Sequence, residues 1–216
     1  MLKGSDAIEV KKIEGYKSAL ALNSSYPKSK LHFDDCRISN ACRECESWEK
    51  RDIIYIVGSV SKGELKILYF VYGDCYAASR ETYENIQNAV SNALSVDGIE
   101  TENTNELAKV RRVDPLGITS LRVRGMWHIE GPAKVFDYLY EIDTVKEFQL
   151  VCIMRKDKYS AFPATDRNQI EKGKGFVVKD AKIKSPDNPA KQIPIKLITF
   201  SKYIWTLFLY LLAVVA

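Results

Sequence analysis

A chain of 216 residues, 46% hydrophobic and 28% charged, can bury one well-packed core, and it lacks the low-complexity tracts and internal repeats of disordered or solenoid proteins. A net charge of +4 permits a nucleic-acid partner without singling one out, because many cytosolic enzymes carry as much. Five cysteines, an odd number, and a polar start argue against a disulfide-stapled secreted scaffold and point to a reducing, cytoplasmic setting.

The first periodic segment, DAIEVKKI (Asp6 to Ile13), alternates with period two and predicts a strand. From Gly15 to Arg51 the chain is loop-rich, with turn residues at Asn23, Ser24, Ser25, Pro27 and Asp34. Two nearly continuous apolar runs, Ile53 to Val60 and Leu65 to Tyr72, predict a hairpin turning at Ser61 to Gly63, its strands covered on both faces. Ser79 then caps a predicted helix that runs to about Leu94. Glu81 and Glu84 suit the positive end of its dipole, and Ala89, Val90, Ala93 and Leu94 mark its buried stripe.

LAKVRRV and LRVRG read as two short basic strands around Asp114-Pro115-Leu116-Gly117. A short helix, Ala133 to Glu141, is expected after Pro132, and FQLVCIMR, GFVVKDAKIK and IPIKLITF read as three closing strands. Strands outnumber helices and the helices fall between them, which predicts a mixed α/β fold in a single domain over about residues 1–200. The remainder, residues 201–216, includes an uncharged apolar run from Tyr203 to Ala216. That run is shorter than the roughly 20 residues of a membrane span, so it reads as an apolar tail and no membrane partner is expected.

Glu9 and Lys11 carry the chemistry. Two apart on a strand, they share one face, while Ile8 and Val10 share the other. If Ile8 and Val10 enter the core, the two charges line a surface or cleft. There a carboxylate can offer oxygen ligands to Mg2+, which activates water in phosphodiester hydrolysis. The lysine can orient the nucleophile and offset phosphate charge. A solvated surface ion pair explains the same two residues, and for a bare Glu-x-Lys it is the commoner case.

The surroundings narrow the choice. EVKKIEGYKSALALNSSYPKSKL, Glu9 to Leu31, resembles the catalytic-strand region of type II restriction endonucleases of the PD-(D/E)xK class, with Glu9-Val10-Lys11 as the last part of the motif. ALNSSYPKSKL is similar to the family stretch that follows the motif and approaches DNA. WEKRDIIYIVG, LKILYFVYGDCYAA and VDPLGITSLRVRGMWHIEGP resemble the NgoPII-type restriction enzymes, and the blocks keep their order from about Asp6 to Phe200.

The resemblance implies a restriction-endonuclease-like mixed β-sheet flanked by helices. It also implies Mg2+-dependent cleavage of double-stranded DNA at a GGCC-type palindrome by a homodimer. Under it, Glu9 and Lys11 are catalytic, and Glu9 with a second acidic residue binds the metal. Asn23, Ser24, Ser25 and Lys28 are candidate DNA contacts. So are Arg122 and Arg124, which emerge from one face of a strand and can present guanidinium forks to guanine edges or phosphates, with Arg111 and Arg112 beside them. Basic residues that discourage pairing along an edge strand are the competing explanation.

The family pattern also places a metal-binding aspartate, usually after proline, well upstream of the Glu-x-Lys, within a helical N-terminal region. Only eight residues precede Glu9 and none of them forms Pro-Asp. Asp6 is the one acidic candidate, and its parity sets it opposite Glu9. The expectation is an N-terminally shortened endonuclease that cleaves little or not at all by itself, with a non-catalytic DNA-binding remnant, or an interaction protein attached through its apolar tail, as the alternatives. Cys42 and Cys45 form a lone Cys-x-x-Cys, with Cys36, Cys75 and His32 as further zinc candidates. One such pair is less than a zinc pattern requires, so these read as reduced thiols, and His128 as a packed or surface residue.

Overall fold

The computed structural model describes residues 5–202 apart from 23, 24, 36, 37, 45, 97, 98, 100 and 103–105. Asn23, Ser24, Cys36, Cys45 and the apolar run 203–216 therefore lie outside the described residues. Strand β1 (Ala7–Glu14) opens the fold. The loop-rich segment after it holds β2 (Leu20–Ala21), β3 (Lys30–His32) and the short helix α1 (Asn40–Glu44). Next comes the expected hairpin, β4 (Lys50–Ser61) and β5 (Glu64–Tyr72). Lys62 and Gly63 at its tip take positive φ, 53° and 81°, as a tight turn between twisted strands requires.

A 3-10 turn, Gly73–Cys75, leads to helix α2 (Arg80–Val96). Strands β6 (Ala108–Arg111) and β7 (Ser120–Val123) pair with each other, and β8 (His128–Ile129) pairs with β2. Helix α3 (Pro132–Val135) is shorter than its sequence suggests. The chain turns after it so that Phe136 enters the core. Strand β9 (Phe148–Arg155), helices α4 (Lys156–Ala161) and α5 (Ala164–Lys172), and strands β10 (Phe176–Lys184) and β11 (Gln192–Lys202) complete the chain.

The main sheet runs β1-β4-β5-β9-β11-β10, with β3 added against β4. Pairs β1/β4 and β5/β9 are parallel and the others antiparallel, giving a mixed sheet in a single domain. One face of the sheet carries Tyr55, Val57, Tyr69, Val71, Val151, Ile153 and Leu197, all buried. The segments around Gly73–Cys75 and α3 cover it. Tyr55 meets Tyr76 edge-on at 5.5 Å, Tyr76 meets Phe136 at 5.9 Å, and Tyr69 meets Tyr140 at 6.4 Å. Each such ring, fully buried, contributes about 2 kcal/mol.

The register fixes which face of β1 looks inward. Ala7, Glu9, Lys11 and Ile13 stand beside Ile53, Tyr55, Val57 and Ser59 of β4, the residues that face the core. Ile8 and Val10, expected inside, are instead 60% and 69% exposed on the other face. Both ends of β1 pin this arrangement. Gly15 N–H donates to Val60 O at 2.8 Å and Ser59 Oγ donates to Gly15 O at 2.6 Å. Asp6 is tied down at the other end, as described next. A slip of one residue would break both anchors and lift Ile13 out of the core.

A candidate active site on the first strand

Glu9 and Lys11 meet on the inward face of β1, with Lys11 Nζ 2.8 Å from Glu9 Oε1. Their side chains are 41% and 25% exposed, half sunk rather than solvated. Glu9 opens into a cavity of about 60 Å³ lined by Leu22, Ser25, Tyr26, Lys28, Ile53 and Tyr55. Burial is the main force pushing the Tyr55 phenol up from its ordinary value, and the nearby Glu9 carboxylate adds to it. The structure thus brings together Glu9, Lys11, Ser25 and Lys28 from segments that the sequence separates.

The wall opposite Glu9 is built from Leu22, Ser25, Tyr26 and Lys28, and Tyr55 straps it down. Lys28 N–H donates to the Tyr55 hydroxyl at 2.6 Å, and that hydroxyl donates to Lys28 O at 3.1 Å. Gly73 lets the segment approach, because a Cβ there would sit 2.5 Å from Lys28 O and 2.6 Å from Ser29 O. Tyr26 stacks on Tyr83 at 5.2 Å and meets Trp127 edge-on at 6.3 Å. The Lys28 ammonium bonds to Asp35 at 2.5 Å and lies over the Tyr26 ring at 4.4 Å. Its cation is therefore turned toward Asp35, whereas Ser25 remains on the cavity wall. Tyr55 and Asp35 were not singled out from the sequence. A tyrosine inside an apolar strand and an aspartate in a loop carry no local mark of this role.

Asp6 does not join the site. Its carboxylate accepts from Tyr72 Oη at 2.8 Å and from Lys158 Nζ at 2.8 Å, and Lys158 also reaches Asp52 at 2.8 Å. Lys30 bonds to the same Asp52 at 2.5 Å. Burial raises Asp52, but its bonds to Lys158 and Lys30 outweigh that and leave its carboxyl below the usual value. Asp6 is thus an anchor joining the start of β1 to β4, β5 and α4. Among the described residues no three His, Cys, Asp or Glu side chains come together as a metal cage. Among the described residues, Glu9 alone supplies a carboxylate to the cavity. Magnesium is held by one or two carboxylates, with waters and substrate phosphate completing its shell. The donors present at the cavity would fill only part of such a shell.

The β6–β7 hairpin carries the predicted arginines. Arg122 and Arg124 each offer Nε to one carboxylate, that of Glu106, at 2.8 and 2.7 Å, and both side chains are more than half exposed. Glu106 aligns the two guanidiniums, and no motif in the sequence marks it. Past Arg124 the chain leads to Trp127, whose carbonyl accepts from Leu22 N–H at 2.9 Å. The hairpin therefore hangs from the wall of the Glu9 cavity. His128 is exposed on β8. Cys42 is exposed, while Cys75 and Cys152 are buried, and burial pushes the Cys152 thiol up to about 12.

Residues 1–184 match the model of the NgoPII restriction endonuclease family. The chain is 48% identical over 202 residues to the type II restriction enzyme NgoPII of Neisseria gonorrhoeae, across 93% of its own length and 73% of that protein's. No solved structure matches. Among the described residues no helix is long and apolar enough to cross a membrane. Extent and identity together settle the kinship, and the chain belongs to the NgoPII restriction endonuclease family.

Proposed function

We propose that the protein is a cytoplasmic type II restriction endonuclease that cuts double-stranded DNA at a GGCC-type palindrome, as a homodimer whose two-fold axis matches the site. One observation carries the reading: Glu9 and Lys11 stand side by side at 2.8 Å on the inward face of a strand, against the apolar pattern of that strand. Lys11 donates to a phosphate oxygen and holds the attacking water, with Glu9 orienting the ammonium. Mg2+ bound through Glu9 and the scissile phosphate would supply charge neutralisation and a more acidic water. Ser25 offers a hydroxyl to the backbone beside the cut. Arg122 and Arg124 read base edges or grip phosphates farther along.

With one carboxylate in the cavity, magnesium binding is weak and cleavage slow. That same observation favours a second reading, a DNA-binding remnant that no longer cuts. Both are tested with plasmid bearing GGCC sites, titrated with magnesium. Slow magnesium-dependent cutting that Glu9→Ala abolishes, with duplex binding retained, supports the endonuclease. Salt-dependent duplex binding without cutting at any magnesium concentration supports the remnant.

A further inference from the structure

We propose that the tip of the β6–β7 hairpin, Leu116 with Ile118, is an apolar wedge that enters a groove of duplex DNA and parts stacked base pairs, while the arginines on its shoulders hold the backbone. The inference rests on the DNA-cutting reading above and goes beyond it. Leu116 and Ile118 are each 82% exposed, the most exposed large apolar side chains among the described residues. Val113 and Leu121 on the same hairpin, and Met126 just past it, are exposed as well. Several large apolar side chains left in water along one hairpin mark a contact with something else.

The tip is held rather than loose. Asp114 accepts backbone N–H bonds from Leu116 at 2.9 Å, Ile118 at 3.4 Å and Thr119 at 2.5 Å. Gly117 N–H donates to Asp114 O at 2.8 Å and Val113 N–H to Thr119 O at 3.0 Å. Gly117 takes φ of 69°, the left-handed conformation that glycine adopts without strain. These bonds keep Asp114 ionised, its carboxyl drawn down to about 2 chiefly by Thr119. The loop is thus built to hold two aliphatic side chains away from the body of the protein, where no burial rewards them.

Charge decides the partner. Between Glu106 and Arg124 the hairpin holds five basic side chains and two acidic ones. Asp114 is occupied at the tip, Glu106 clamps Arg122 and Arg124, and Glu102 pairs with Lys109 at 2.9 Å and Arg111 at 2.5 Å. An apolar point between arginine shoulders suits a polyanion whose bases are stacked. Aliphatic wedges that insert between base steps unstack and bend the duplex so that more of it meets the protein. Docking on an apolar protein surface would instead take those ion-paired guanidiniums out of water, a desolvation cost that phosphates offset.

The test uses the full chain and a short GGCC duplex with 2-aminopurine placed at successive steps in and beside the site. Wild type is expected to raise 2-aminopurine fluorescence severalfold at one step. The Leu116→Ser, Ile118→Ser double variant should show no rise and bind about tenfold more weakly, with the salt dependence unchanged because the arginines remain. Both positions are exposed, so an unchanged urea midpoint is expected to confirm folding. The wedge is refuted if the double variant keeps both fluorescence rise and affinity, or if wild type binds with normal salt dependence but brightens no step. It is also refuted if the substitutions abolish self-association in sedimentation and leave the fluorescence rise intact, which would give the tip to a second copy. Failure of wild type to bind any duplex would remove the DNA reading itself, and the wedge with it.

Discussion

Glu9→Val combined with Lys11→Val is expected to stabilise the protein while abolishing cleavage. The pair replaced is 2.8 Å long with side chains 41% and 25% exposed, and an ion pair this close to water contributes about 0–1 kcal/mol. A fully buried valine contributes roughly 1.5 kcal/mol. At the partial burial of these positions, two valines supply about 2 kcal/mol and suit a strand better than lysine or glutamate. The net gain is about 1 kcal/mol, which raises the urea midpoint by about 0.5 M at a slope near 2 kcal/mol/M. Urea unfolding followed by tryptophan fluorescence measures it, with plasmid cleavage run alongside. A midpoint lowered by 0.5 M or more would mean that the charges hold β1 in place, and the case for a functional pair would lose its main support.

Tyr55→Phe keeps the ring against Tyr76 but leaves the Lys28 N–H and C=O without partners. A loss of about 2 kcal/mol in urea unfolding is expected, with weaker duplex binding as the Ser25 wall loosens. Glu106→Gln removes the charge that aligns Arg122 and Arg124. Competition between GGCC duplexes and single-base variants should show discrimination falling about tenfold, with nonspecific binding retained. Asp52 has its folded pKa depressed below 3.8, so its contribution to stability is complete above that value and disappears as pH falls through the lower, folded one. Urea midpoints measured down to pH 2 should decline more gently in Asp52→Asn than in wild type.

The sequence shows most of the sheet because its central strands are long and apolar. Phe148–Arg155 forms the strand expected, and the β4–β5 turn falls at Lys62-Gly63. Segment 156–172 went unread for the opposite reason. Helix α5 buries none of its residues and so has no apolar stripe, and α4 buries Tyr159 alone. Strands of two and three residues, β2 and β3, are too short for any period to register. The helix foreseen from Ala133 to Glu141 stops at Val135 because Phe136 is drawn into the core beside Tyr76, a tertiary demand that outweighs local propensity. At the site, parity alone puts Glu9 and Lys11 on one face and Asp6 on the other. Partners that depend on long-range contact, Tyr55 for Lys28 and Glu106 for the arginines, have no local signal.

The reversal at β1 is the most informative of these differences. Read by pattern, Ile8 and Val10 belong inside and the charges outside. The parallel register with β4 enforces the reverse, and it is fixed at one end by Asp6, Lys158 and Asp52 and at the other by Gly15 and Ser59. Local pattern and global pairing normally agree in a natural sequence, and they part company where function demands it. Here the disagreement falls on the two residues that the family resemblance names as catalytic. An edge strand serving stability alone would turn its isoleucine and valine inward and keep glutamate and lysine in water. Holding a carboxylate and an ammonium half-buried over Tyr55, while two β-branched side chains remain exposed, makes physical sense if the inward face must present that pair to a phosphate.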